Sequence, residues 1–188
     1  LASPPRLLKR LSGFSPEGAP PEILPLDYAA APLWMYVTSK VERKSRVFSC
    51  RKEPWTTAWL DTAVQPGEVV YDIGANVGAY TLVAAHQVGP DGTVVAFEPG
   101  YASFAHLCDN LVLNDFADRV VPVPLPLAAT SHLGRFTYHK LYPGHARHTV
   151  EADPSDPAAD PAAPVFAQRA LATRLDDLVR TFGLPAPH

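Results

Sequence analysis

Val69-Val70-Tyr71-Asp72-Ile73-Gly74-Ala75-Asn76-Val77-Gly78 is the stretch that decides how this chain folds. Its first half is a β-branched, almost continuously apolar run, as expected of a strand covered on both faces. Its second half is a glycine-punctuated turn, and the Ala- and Leu-rich segment from Val77 to Val88 reads as a helix. The turn Gly89-Pro90-Asp91-Gly92 then leads into a second strand, Thr93–Phe97. Phe104, Leu107, Cys108 and Leu111 recur at i, i+3, i+4 and i+7, one face of a second helix, and Val120–Leu127 is a third extended segment. Strand, helix, strand, helix, strand implies right-handed crossovers and a parallel sheet. The expected class is α/β, one half of a doubly wound sheet.

Working outward, residues 1–32 read as an arm. Leu7, Leu8 and Leu11 are expected to form one short helical turn before Pro16, Pro20, Pro21 and Pro25 break regularity. Leu33–Thr38 and Val47–Cys50 read as a β-hairpin around the charged turn Ser39–Arg46. Trp55, Trp59 and Ala63 make the apolar stripe of a helix stopped by Pro66-Gly67, and with Trp34 these tryptophans are expected to pack the N-terminal elements onto the sheet. Beyond Thr130, Arg135–Lys140 and Val165–Leu171 read as strands, with the Asp/Pro/Ala stretch Glu151–Pro164 as a mobile loop between them. Thr173 is expected to N-cap a final helix. The expected units are an arm and hairpin over 1–51 and the sheet-bearing domain over 52–188.

Composition narrows the function. The chain has 188 residues, 47% hydrophobic and 19% charged, a globular balance able to bury a core without staples. Sixteen Lys+Arg against nineteen Asp+Glu leave −3, so no nucleic-acid partner is expected. No apolar run approaches the ~20 residues of a membrane span, and the N-terminus lacks a signal-type pattern. The expectation is a cytoplasmic protein without a membrane partner. Cys50 and Cys108 form no CxxC motif.

In open α/β sheets ligands sit at the carboxyl ends of the strands. The Asp72–Gly78 turn lies there, and Glu98 closes the next strand, where a carboxylate can accept both hydroxyls of a ribose. No Gly-Lys-Ser/Thr follows the turn, which excludes a P-loop. A dinucleotide fingerprint needs glycine at three positions occupied here by Gly74, Asn76 and Ala79, and the glycine that would admit a pyrophosphate is missing. S-adenosylmethionine carries no phosphate. Polar groups at the turn (Asp72, Asn76 and the loop backbone) suit its amino acid end, Glu98 its ribose, and Phe97, Pro99 and residues after the third strand an apolar adenine slot.

These same residues carry a family resemblance. Glu68 to Leu82, Gly92 to Pro99, Asn110 to Asn114 and Thr173 to Leu178 resemble the FkbM family of S-adenosylmethionine-dependent methyltransferases. The resemblance implies a class I methyltransferase (Rossmann-like) fold and transfer of a methyl group to an oxygen, on a small-molecule hydroxyl acceptor of sugar or polyketide type. The cofactor-binding candidates are Asp72, Gly74, Ala75, Asn76, Gly78, Tyr80, Glu98 and Pro99. Family members continue past the LDDL-like segment with another core strand carrying an acidic motif, so the expected sheet has an incomplete C-terminal half. A partner chain or self-association would complete it, and the alternative to an enzyme is a catalytically inactive binding or assembly module.

No catalytic residue follows from the sequence. Six histidines, His86, His106, His132, His139, His145 and His148, are candidate bases; the last three fall in the irregular region that would cover the cleft, though surface or loop placement is the expectation. No metal site is expected from them. Asn110 and Asn114 are expected to cap or end the second helix. Tyr80 either meets the ligand or fills core. Lys40, Arg43, Lys44 and Arg46 read as a solvated turn, the alternative being to steer an anionic acceptor.

Overall fold

A computed structural model describes residues 21–146, 148–151 and 165–188. The expected helical turn at Leu7–Leu11 and residues 152–164 of the expected loop lie outside the described residues. In chain order the strands are β1 (Glu22–Pro25), β2 (Trp34–Val37), β3 (Val69–Ile73), β4 (Thr93–Phe97), β5 (Val120–Val123), β6 (His132–Tyr138), β7 (Thr149–Glu151) and β8 (Phe166–Ala172). The α-helices are α1 (Ser49–Lys52), α2 (Pro54–Ala63), α3 (Ala79–Val88), α4 (Tyr101–Leu113) and α5 (Leu175–Arg180), and a π-helical turn spans Glu42–Arg46.

The deciding stretch folds as read. β3, β4 and β5 form a parallel sheet in that order, with Asp72 opposite Ala96 and Ile73 opposite Phe97. α3 and α4 are the crossovers. α3 is buried nearly all round, through Thr81, Leu82, Val83, Ala84, Ala85 and Val88, because it lies between the sheet and the N-terminal elements. β5 stops at Val123, earlier than expected, as Pro122 and Pro124 limit the ladder. β6 pairs antiparallel with β7 and β8.

The N-terminal hairpin has different strands from those expected. β2 pairs antiparallel with β1, and 47–50 is no strand. Two carboxylates explain this. Glu42, with no exposed surface, accepts the backbone N–H groups of Thr38 and Ser39 at 2.9 Å each and lies 2.6 Å from His106 Nδ1. That draws the charged segment inward as a helical turn. Asp27 accepts the backbone N–H groups of Cys50 and Arg51 at 3.0 and 2.9 Å, satisfying the start of α1.

Asn110 and Asn114, one turn apart on α4, clasp the backbone of β2. Asn110 Oδ1 accepts Tyr36 N–H at 2.6 Å while its amide donates to the Val77 carbonyl at 2.7 Å. Asn114 accepts from and donates to the Trp34 backbone. Asn114 also ends α4 as expected, but Asn110 is a cross-element clasp instead of a cap.

Three further expectations change. Trp55 and Trp59 are 70% and 57% exposed, and Leu60 is the residue α2 buries. Arg174, not Thr173, occupies the N-cap of α5, because Thr173 continues the backbone pairing with Leu127 and Ala128. The basic residues of 40–46 are not uniformly solvated: Arg43 pairs with Glu22, and Arg46 turns inward. The outer edge of β3 meets the C-terminal tail, where His188 N–H donates to the Val69 carbonyl at 3.1 Å and Tyr71 Oη to the Pro185 carbonyl. Among the described residues, no helix is long and apolar enough to cross a membrane.

Candidate functional site

The carboxyl ends of β3 and β4 open onto a cleft of about 290 Å³. Gly74 and Asn76 from the first turn, Glu98 and Pro99 from the second, and Leu125 to Leu127 beyond β5 line it, with Phe97 at its base. Parallel register makes this happen. Gly74 and Ala75 both donate their backbone N–H to the Phe97 carbonyl at 2.9 Å, so the turn after β3 is bonded to the end of β4.

Glu98 is 5% exposed, and both of its oxygens are held. Oε2 accepts Asn76 N–H at 2.8 Å and Oε1 accepts Gly100 N–H at 2.7 Å. Burial raises its pKa above the ordinary carboxylate value; those two N–H bonds and the Arg46 charge oppose the rise, and Asp72 adds to it. Each oxygen retains a lone pair, so the group can still accept hydroxyl donors.

The candidates from the sequence divide into two sets. Gly74, Asn76, Glu98 and Pro99 come together in the cleft. Asp72, Ala75, Gly78 and Tyr80 do not line it. Asp72 accepts the Thr81 hydroxyl at 2.5 Å, and burial raises its pKa. Ala75 is buried in the turn. Gly78 adopts φ +89° at the N-cap of α3, where a Cβ would stand 2.6 Å from Leu107 Cδ1. Tyr80 donates to the Ser49 carbonyl at 2.9 Å, fixing α1 against α3, and burial raises its phenol pKa.

The segment after β6 forms a roof that the sequence left irregular. Asn76 Nδ2 donates to the His145 carbonyl at 2.9 Å, and His145, Ala146 and His148 complete the cleft together with Phe136. The His148 ring packs against Tyr138 and Phe136, at centroid distances of 5.0 and 5.6 Å. Burial depresses its pKa, and His145 and His139 depress it further. The other histidines serve elsewhere: His106 pairs with buried Glu42, His86 abuts Tyr28, and His132 contacts the Thr130 carbonyl. Among the described residues, no group of three or more His, Cys, Asp or Glu side chains is arranged to hold a metal ion.

A cleft built on a carboxylate, an open glycine turn and an apolar slot suits an adenosyl group. At Gly74 nothing lies within 4 Å of where a Cβ would be, so the backbone faces open space beside Glu98.

No protein-family model matches the chain. It is 47% identical over 57 residues to the 31-O-demethyl-FK506 methyltransferase FkbM of Streptomyces tacrolimicus, covering 30% of this chain and 22% of that protein. It is 29% identical over 127 residues to the methyltransferase sdnD of Sordaria araneosa, covering 67% of this chain and 46% of that protein. The chain therefore spans under half the length of each of these relatives. Similar solved structures include a SAM-dependent O-methyltransferase from Thermotoga maritima, with 23% identity over 57% of this chain and 42% of that one and a TM-score of 0.38. Another is Methanocaldococcus jannaschii Trm5 in complex with adenosine, with 17% identity over 55% of this chain and 29% of that one and a TM-score of 0.40. Over part of its length the chain is thus similar in sequence to FkbM-type methyltransferases, and β3, β4 and β5 with α3 and α4 form a parallel, Rossmann-like α/β core.

Proposed function

We propose that the chain binds S-adenosylmethionine in the cleft between β3 and β4 and takes part in methyl transfer to a hydroxyl of a small molecule of sugar or polyketide type. The observation that carries this reading is the buried Glu98 carboxylate, bonded to the Asn76 and Gly100 backbone beside the open face of Gly74. Glu98 would hold the ribose hydroxyls, Gly74 and the turn backbone the amino acid end, and Phe97, Pro99 and Leu125 to Leu127 the adenine. When bound, the cofactor supplies a methyl group made electrophilic by its sulfonium. The chain's own residues fix the adenosyl end, and the roof excludes water from it; much of the acceleration of such an in-line displacement comes from positioning.

The reading takes residues 52–188 as the cofactor-binding domain, 1–51 as its extension, and the cytoplasm as its setting. The net charge of −3 favours a small acceptor over RNA. The test is binding of S-adenosylhomocysteine and of NAD+ to the 188-residue chain. Saturable binding of the first and none of the second is expected, and preference for NAD+ would overturn the reading. A second reading, an assembly module without catalysis, is favoured by the exposed Trp59 beside β3. A second chain or second copy covering that face would appear as association in sedimentation equilibrium.

A further inference from the structure

Arg46 is the basic residue whose placement the sequence does not anticipate. Its Nε and Nη2 both donate to the Gly144 carbonyl, at 3.0 and 2.7 Å. Three more bonds seat the same short segment. Ser39 Oγ donates to the Pro143 carbonyl at 3.0 Å, Gly144 N–H donates to Ser103 Oγ at 3.3 Å, and Asn76 Nδ2 reaches the His145 carbonyl at 2.9 Å. A Cβ on Gly144 would stand 2.9 Å from Glu42 Cγ, so the backbone lies directly on the buried Glu42. The roof of the cleft is therefore fastened at one end to the π-helical turn and at the other to the turn after β3.

We propose that Arg46 is a positioning residue, holding the Pro143–Ala146 roof against Asn76 so that the adenosyl group is retained in the cleft. The inference rests on the cofactor reading above. Arg46 acts through the roof and makes no contact with the cleft itself. A guanidinium suits this task because its planar fork delivers two donors to one carbonyl. Its environment is also paid attention by charge: burial lowers its pKa, while Glu53, Glu98, Tyr80 and Glu42 favour the cation. The same arrangement gives Asn76 a role the sequence does not show. Its amide is committed to the roof, and its backbone N–H to Glu98.

The test is surface plasmon resonance with S-adenosylhomocysteine on the wild-type chain, Arg46→Met and Arg46→Lys, alongside hydrogen exchange of the Gly144 amide. Arg46→Met is expected to raise the dissociation rate by about tenfold or more, the equivalent of losing hydrogen bonds from a charged donor, with little change in association rate. Arg46→Lys should restore part of the residence time, which a merely structural role would not produce, and it serves as the folded variant should Arg46→Met unfold. Gly144 should exchange faster in Arg46→Met. Wild-type dissociation and exchange rates in a folded Arg46→Met would overturn the positioning role while leaving the cofactor reading intact. No binding by folded wild type would overturn the cofactor reading, and the retention role with it.

Discussion

Glu98 Oε2 accepts the backbone N–H of Asn76 at 2.8 Å, so one buried carboxylate locks the turn after β3 to the turn after β4. Asn76 sits at φ +54°, a left-handed conformation that asparagine tolerates better than most residues, and the bond to Glu98 helps hold it there. Glu98→Gln retains the shape but can offer an acceptor to only one of the two N–H groups. It is expected to lower the unfolding free energy by about 1–3 kcal/mol, measured by urea denaturation.

The two turn glycines should respond differently to alanine. Gly78→Ala places a Cβ against Leu107 Cδ1 at 2.6 Å as well as straining a φ of +89°. Gly74→Ala strains a φ of +83° but meets open space. Gly74→Ala should therefore cost about 1 kcal/mol and Gly78→Ala about 2–4 kcal/mol, compared by thermal or urea unfolding. Larger side chains at position 74, such as in Gly74→Val, should abolish ligand binding while the chain still folds. Tight binding of S-adenosylhomocysteine by that variant would contradict the turn's assignment.

Asn110→Leu removes the acceptor for Tyr36 N–H and the donor to the Val77 carbonyl at a fully buried position. Leaving both backbone groups unpaired should cost about 2–5 kcal/mol. Equilibrium unfolding would measure it, and a loss below about 1 kcal/mol would mean that the clasp of α4 on β2 is dispensable.

The depressed pKa of His148 makes stability depend on pH. The unfolded chain binds this proton more tightly than the folded one, so its contribution is complete above the ordinary value of about 6.5 and is lost as pH falls below it. Asp72 and Glu98, whose pKa values burial raises, act with the opposite sign, because the folded chain binds their protons more tightly than the unfolded one. Since the carboxylates are common to both proteins, unfolding curves at about pH 7.5 and about pH 5.5 for wild type and His148→Phe isolate the histidine. The variant should lose less stability on acidification.

The parallel core was legible because its signals are local. Val69 to Ile73, the glycine turn and the 3.6-residue pattern of Phe104 to Leu111 each report their own conformation, and strand ends place ligands by rule. The hairpin was not legible because its pairing depends on partners distant in sequence. Glu42 reads as a surface charge until His106 and the Thr38 and Ser39 backbone enclose it, and Asp27 reads as a loop residue until it meets the start of α1. The same holds at the cleft. Spacing brought Gly74, Asn76, Glu98 and Pro99 together, whereas Asp72 and Tyr80 have the right residue types but face Thr81 and Ser49. The roof was missed because its bonds from Arg46, Ser39 and Ser103 span about forty to a hundred positions, beyond any periodicity. Trp55 and Trp59 fit a helical stripe correctly, but nothing in the pattern tells which side of α2 meets the core.

Glu98 is proposed to hold an adenosyl ligand at the end of β4. Titration calorimetry of S-adenosylhomocysteine into wild type and Glu98→Ala, both checked for folding by circular dichroism, tests it most directly. Saturable binding by wild type is expected, with an affinity about 5- to 150-fold weaker in Glu98→Ala, corresponding to about 1–3 kcal/mol. Equal affinity in the two proteins would contradict it.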